Sequence, residues 1–299
     1  MKLFLVKPRG FCAGVVRAIK IVKRSLEKWG SPIYVKHYIV HNKQVIDSLK
    51  KEGIIFVEDL KNVPKYSKII YSAHGVSPDD RIEAKKLSLF EIDATCPLVT
   101  KNHRAVVEYS QKGYKIILIG DKKHIEVIAT KKEAEKDIFV VESLKDIEKL
   151  NFSKREKLVY LIQTTFSSDD VKIIEEELKK KYPDIKSLSS ICYATSNRQN
   201  AFKSIIDLVD LALIVGDSMS SNSNKLKDIA LKNGVKAFLI NDPSEIFFHW
   251  FKNVSKIGLT AGASTPEDVI ESCIDRLKDF GVKEIENKIF IEERVVFSI

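Results

Sequence analysis

Three passages of this 299-residue chain repeat one arrangement: a short apolar run, then a cysteine, then an amphipathic or proline-led helical pattern. "KLFLV" leads to Cys12, "LFEIDAT" leads to Cys96, and "SLSSI" leads to Cys192. Beyond each cysteine the spacings agree. His41 lies 29 residues after Cys12, His124 lies 28 after Cys96, and Ser220 lies 28 after Cys192. A further polar position follows in each passage: His74 at 62 residues, Thr164 at 68 and Ser264 at 72 from the same cysteines. A period near 90 residues is too long for a solenoid, so each copy reads as a small domain. The expected division is 1–90, 91–185 and 186–284, with residues 285–299 as a C-terminal strand or tail.

Within each copy, strand-like runs such as "IYV", "KIILI" and "LALIV" alternate with helical patterns. That alternation predicts an α/β fold of three similar domains with mainly parallel sheets, set about a pseudo-threefold axis as a trefoil. The first helix places Val15, Ala18, Ile19, Val22 and Leu26 on one face and closes at Gly30, which suits a C-terminal cap. Pro97, directly after Cys96, suits a first helical turn.

Composition narrows the class. With 44% hydrophobic and 30% charged residues, the chain reads as soluble and globular. No apolar stretch reaches the ~18–20 residues that span a bilayer, and the opening run is too short for a signal peptide, so a cytoplasmic, non-membrane protein is expected. The net charge of +9 comes mostly from lysines scattered along helices, as in a solvated surface. The four cysteines contain no CxxC pair, which argues against a disulfide framework. Cys273, inside "EDVIESCIDRL" and outside the repeat, is expected to pack.

Ligands in open α/β sheets bind at the carboxyl ends of the strands. Cys12, Cys96 and Cys192 all stand where a strand ends and a helix begins, which biases each thiol toward thiolate. One thiolate from each domain suits an iron–sulfur cluster, and three ligands on a four-iron cluster would leave one iron open to substrate. Zinc fits less well, because closely spaced ligand pairs are missing. The recurring polar positions gather His41, Asn42, His74, His124, Thr164, Thr165, Ser220, Ser221, Asn222 and Ser264. Singly, such residues are ordinary helix caps; together they suit a phosphate or diphosphate. Glu126 interrupts the apolar "HIEVIA". It is either a buried proton donor or an exposed acid stabilising a helix start. Neither GxGxxG after a strand nor a P-loop occurs, so electrons are expected from a partner protein.

The motifs "RGFCAGVVRAI", "SAHGVSP", "DATCPLVTK", "GDKKHIEV", "QTTFS", "CYATSNRQ", "SSNSNKL" and "LTAGAS" resemble the 4-hydroxy-3-methylbut-2-enyl diphosphate reductase family of the methylerythritol phosphate pathway. The resemblance runs from residue 3 to the final "EERVVF". It implies a [4Fe–4S] cluster with one open iron site, held by Cys12, Cys96 and Cys192. It further implies reductive removal of the substrate's allylic hydroxyl as water, giving isopentenyl and dimethylallyl diphosphate. His41, His74, His124, Ser220, Ser221, Asn222 and Ser264 would hold the diphosphate. Glu126 would donate the proton and Thr164 would line the path to the hydroxyl. A monomer served by an acidic ferredoxin or flavodoxin is expected, with no nucleic acid bound. Two other readings are a quinolinate synthase-like iron–sulfur enzyme and a basic RNA-binding protein. The first would want arginines at the anion positions, and the second an aromatic and basic sheet face.

Overall fold

A computed structural model describes all of residues 1–299. The chain begins with β1 (Lys2–Lys7), α1 (Ala13–Trp29), β2 (Ile33–Lys36), α2 (Lys43–Lys51), β3 (Ile54–Val57), β4 (Lys68–Tyr71), α3 (Pro78–Lys86) and β5 (Phe90–Asp93). It continues through α4 (Pro97–Gln111), β6 (Tyr114–Ile119), α5 (Ile125–Lys132), β7 (Ile138–Val141), α6 (Leu144–Glu148), β8 (Lys157–Ile162), α7 (Ser168–Lys181) and β9 (Lys186–Ser187). It ends with α8 (Tyr193–Lys203), β10 (Leu211–Val215), α9 (Ser221–Lys232), β11 (Lys236–Ile240), β12 (Lys256–Ala261), α10 (Glu267–Asp279) and β13 (Glu284–Ile289). The fold is α/β, as the alternating pattern predicts. No helix is long and apolar enough to cross a membrane.

Two compact units divide the chain. One contains Met1–Val16, His41–Ser48 and Tyr193–Val296; the other contains Arg17–Val40, Leu49–Cys192 and Phe297–Ile299. The second unit holds two four-stranded sheets, in the orders β3-β2-β4-β5 and β7-β6-β8-β9. The first unit holds one five-stranded sheet, β11-β10-β12-β1-β13. Every pairing is parallel. The three sheets share one order, and in each the fourth strand is the one that leads into a cysteine. β5 therefore completes the sheet of the first repeat, β9 that of the second, and β1 that of the third. A parallel strand must find its neighbour through a crossover; from β4 to β5 and from β8 to β9 that crossover links one repeat to the next, whereas β1 joins the third sheet from the start of the chain.

Residues along β10 alternate between two cores. Leu211, Leu213 and Val215 pack with Val269, Ile270 and Cys273 of α10. Ala212 and Ile214 pack with Phe202 of α8 and with Leu226 and Ile229 of α9. Covering both faces explains the uninterrupted apolar run "LALIV". Each such large side chain contributes about 1.5–3 kcal/mol through burial. Cys273 is 0% exposed in this core, and burial pushes its thiol up to about 12, so it packs as expected.

Local differences from the sequence expectation have simple causes. The Ser-rich run before Cys192 forms only the two-residue β9, because Ile191 is its one β-branched residue to favour a ladder. The buried stripe of α1 runs through Ala18, Ile21, Val22 and Ser25; Ile19 and Leu26 are only half-buried. Gly30 does close that helix, with φ +68° and its N–H on Leu26 O at 2.8 Å. The C-terminal strand is β13, paired along β1.

Candidate functional site

In the three sheets the strand order reverses beside β2, β6 and β10, and such a crevice is where open α/β sheets bind ligands. The cysteines are anchored there in one way. Cys12 N–H donates to Ala263 O at 3.0 Å, Cys96 N–H to Ala73 O at 3.0 Å, and Cys192 N–H to Thr164 O at 3.2 Å. Those acceptors each stand two residues past the end of β12, β4 and β8. Each cysteine is followed at once by a helix, with Pro97 at the first position of α4. All three thiols are half-buried and none of the chain's cysteines forms a disulfide.

A second equivalence holds five residues past β2, β6 and β10, where His41, His124 and Ser220 stand. His124 caps α5 by accepting the Glu126 N–H on Nδ1 at 3.2 Å. That bond needs a lone pair on Nδ1, so the ring proton sits on Nε2, where it can donate to an anion. Ser220 caps α9 through the Ser223 N–H at 3.3 Å. Ser221 opens the same helix, and Asn222 follows it, 2% exposed with neither amide atom hydrogen-bonded. Leaving both atoms of a buried amide unmet is costly unless a ligand meets them. The His74 and His124 rings meet edge to face at 5.9 Å. Ser264 Oγ donates to His41 O at 2.9 Å, tying two of the expected anion residues together.

Glu126 occupies the same helical position in α5 that Asn222 occupies in α9, and it is 3% exposed. The exposed alternative is thereby excluded. Thr164 N–H donates to Glu126 Oε1 at 2.7 Å and Thr164 Oγ1 to Oε2 at 2.5 Å. Burial pushes the carboxyl's pKa up; the two Thr164 bonds and the charge of His103 oppose that without cancelling it. The result is a carboxyl that keeps its proton to higher pH than a solvated glutamate does. Because Thr164 O also receives the Cys192 N–H, one residue joins a cysteine to the acid.

The spacing argument paired Thr164 with His74 and Ser264. In the structure Thr164 stands where Ala73 and Ala263 stand, and Thr165 is the counterpart of His74 and Ser264. Sequence reading also missed Gly120 and Gly216, which directly follow β6 and β10 in the matching stretches "ILIGD" and "LIVGD". A Cβ on Gly120 would lie 2.8 Å from Val127 Cγ2 and 2.9 Å from the Gln163 side chain. The glycine thus lets α5 approach the sheet. Gly120→Ala is expected to cost about 1–3 kcal/mol by overpacking and to lower turnover by moving Glu126. Thermal melting beside an activity assay checks this, and an unchanged melt would show that α5 yields freely.

One unit carries two thiols at strand ends, a buried acid and two imidazoles, and the other a thiol at a strand end with the Ser220 and Ser264 hydroxyls and the Asn222 amide, groups that suit an α/β enzyme for an anionic substrate. The chain belongs to the LytB protein family, whose profile matches residues 3–278. It is 54% identical over 301 residues to the 4-hydroxy-3-methylbut-2-enyl diphosphate reductase of Protochlamydia amoebophila, covering 100% of this chain and 96% of the relative. It is 53% identical to the reductase of the same name from Chlamydia pneumoniae, covering 100% of this chain and 97% of the relative. The solved E-1-hydroxy-2-methyl-but-2-enyl-4-diphosphate reductase of Plasmodium falciparum superimposes with TM-score 0.96 and 47% identity, over 98% of this chain and 93% of that one. A second solved reductase, described as the terminal enzyme of the non-mevalonate pathway, matches with TM-score 0.66 and 32% identity, over 93% and 99%.

Proposed function

We propose that this chain reduces 4-hydroxy-3-methylbut-2-enyl diphosphate to isopentenyl and dimethylallyl diphosphate. In that reaction the substrate's C–O bond breaks, two electrons and two protons are taken up, and the hydroxyl oxygen leaves as water. The observation that carries the reading is the chain of contacts from the Cys192 N–H through Thr164 to the buried Glu126. A hydroxyl leaves far more readily as water than as hydroxide, and a buried acid supplies the proton it needs. A protonated Glu126 can pass its proton to Thr164 Oγ1, which turns its own hydroxyl proton toward the substrate.

In this reading Cys12, Cys96 and Cys192 hold a [4Fe–4S] cluster. The donor set fits: three half-buried thiols, tied off by equivalent N–H bonds at helix starts, with the fourth cysteine sealed in the core. A bound cluster supplies electrons singly and offers an open iron as Lewis acid toward the hydroxyl oxygen. His41, His74, His124, Ser220, Ser221, Asn222 and Ser264 bind the diphosphate, with Nε2–H of His124 and the unpaired Asn222 amide as donors. Fixing the anion in this way holds the allylic carbon in one orientation through the reaction. Electrons come from an acidic ferredoxin or flavodoxin suited to a chain of net charge +9, acting on a cytoplasmic monomer.

Anaerobically reconstituted protein, given a chemical or ferredoxin-type reductant, is expected to consume the hydroxybutenyl diphosphate and release both products. Fully loaded protein that leaves this substrate unchanged would refute the reading.

A further inference from the structure

Of the segments "CYATSNRQ" and "EERVVF", the proposed chemistry uses only Cys192. Other residues of the two segments meet in the first unit. Arg198 of α8 is 1% exposed, and Glu293 of the C-terminal tail accepts from its Nη1 on both carboxylate oxygens at 3.1 Å. Asn197 Nδ2 donates to the same carboxylate at 3.0 Å. A guanidinium sealed from water needs such a counter-charge, because an unpaired buried ion is strongly disfavoured. The tail is itself fixed where it leaves β13, with Phe290 N–H on Lys7 O at 2.9 Å.

The held guanidinium reaches the approach to a cysteine. Arg198 Nη2 donates to Gly10 O at 2.9 Å, two residues before Cys12. Gly10 has φ +71°, and a Cβ there would lie 3.2 Å from Glu267 Oε2 and 3.3 Å from Thr265 O, so this approach is narrow. Both peptide planes flanking Phe11 are thereby pinned. Gly10 O is held by Arg198, and Cys12 N–H by Ala263 O at 3.0 Å. With Cys12 O taken by Val16 N–H at 3.0 Å, the backbone that carries the thiol has little freedom left. A lysine could not do this, because only a planar fork serves Glu293, Ala194 O (2.8 Å) and Gly10 O from one rigid group.

The second unit contains an arginine of the same kind. Arg17 Nη1 donates at 3.0 Å to the carbonyl of Thr95, directly before Cys96, and Arg17 Nε donates to Ser298 O of the tail at 2.7 Å. We propose that Arg198 and Arg17 are positioning residues for Cys12 and Cys96, each oriented by the C-terminal tail, through the Glu293 carboxylate and the Ser298 carbonyl. Each arginine fixes the peptide ahead of its cysteine, so the thiolate meets a cluster without first giving up backbone freedom. The tail thereby sets how tightly iron is retained. The proposal rests on these cysteines being cluster ligands.

Amide hydrogen exchange in cluster-free, full-length protein reads the backbone directly. Arg198→Lys is expected to speed exchange at the Cys12 N–H by about tenfold or more, the scale for losing one hydrogen bond to a charged group. The Cys273 N–H, in the core of the same unit, keeps its parental rate. Glu293→Gln retains an acceptor for Nη1, so the fold survives, and it shows a smaller rise of the same kind. Arg17→Gln speeds exchange at the Cys96 N–H and leaves that of Leu118 in β6 unchanged. With the cluster bound, each variant yields iron to a chelator about 10–100-fold more readily, the scale for a group one step outside a metal's ligands. Parental exchange at Cys12 in Arg198→Lys and Glu293→Gln, or at Cys96 in Arg17→Gln, would overturn the proposal. So would equal acceleration at Cys12 and Cys273, which marks general loosening of the unit. If instead Cys12→Ser keeps its cluster, the ligand reading fails, and the exchange rates still report whether Arg198 holds this backbone.

Discussion

Replacing Cys12, Cys96 or Cys192 singly by serine is expected to remove stable cluster binding and turnover together, whereas Cys273→Ser keeps both. Serine preserves the backbone bonds to Ala263, Ala73 and Thr164, because those use main-chain atoms, so the helix starts survive the change. What disappears is a soft thiolate, which a hydroxyl that stays protonated near neutral pH cannot replace. Losing a partner one step outside a metal's ligands already costs about 10–100-fold, so losing a ligand is expected to cost more than about 100-fold in rate. Cys273→Ser buries a hydroxyl in an apolar core and costs about 1–3 kcal/mol of stability, with the visible absorbance unchanged. Absorbance after anaerobic reconstitution, iron per chain and turnover are the measurements. A serine variant with full colour and full rate would remove that cysteine from the ligand set.

Glu126→Gln is expected to lower kcat by about 10²–10⁴ with little change in KM, the range for loss of a general acid. Glutamine is isosteric and its Oε1 still accepts the Thr164 N–H, so the crevice keeps its shape. The same substitution has a signature in stability. The unfolded chain releases this proton near 4.5, whereas the folded chain holds it to higher pH. In that window the native state binds the extra proton. The carboxyl's contribution is therefore complete below the unfolded value and is lost as pH rises through the native one. The variant, neutral at every pH, escapes that loss. Cluster-free Glu126→Gln should melt near the parent in mild acid and gain on it as pH rises, as calorimetry across that range will report. Parallel melting curves at all pH values would show that Glu126 is not held neutral.

Much of this was legible in the residues because it is local. Helix starts at Pro97 and after His124, the closing Gly30, and the strands "KIILI" and "LALIV" follow from propensity and periodicity over a few positions. The recurrence of cysteine, then His or Ser near 28 residues on, comes from three copies of one supersecondary plan. Where the plan varies in length, spacing misleads. The third sheet strand ends at different distances from each cysteine, so counting from Cys96 paired Thr164 with His74. Hydrogen bonds to the cysteine N–H groups realign it with Ala73.

The amino-acid order alone determined which side chains this protein has to work with and the α/β units that present them, since those depend on contacts within a few turns of chain. Two decisive matters were settled by packing across long separations. The strand leading into Cys12 completes a sheet built more than 200 residues later, through register with Lys256–Leu259. Glu126 could equally have been a solvated helix-start acid. It keeps its proton to higher pH because the fold buries it, even though Thr164, 38 residues away, donates to both of its oxygens. Burial sets the charge of a carboxyl, and burial is a property of the whole fold.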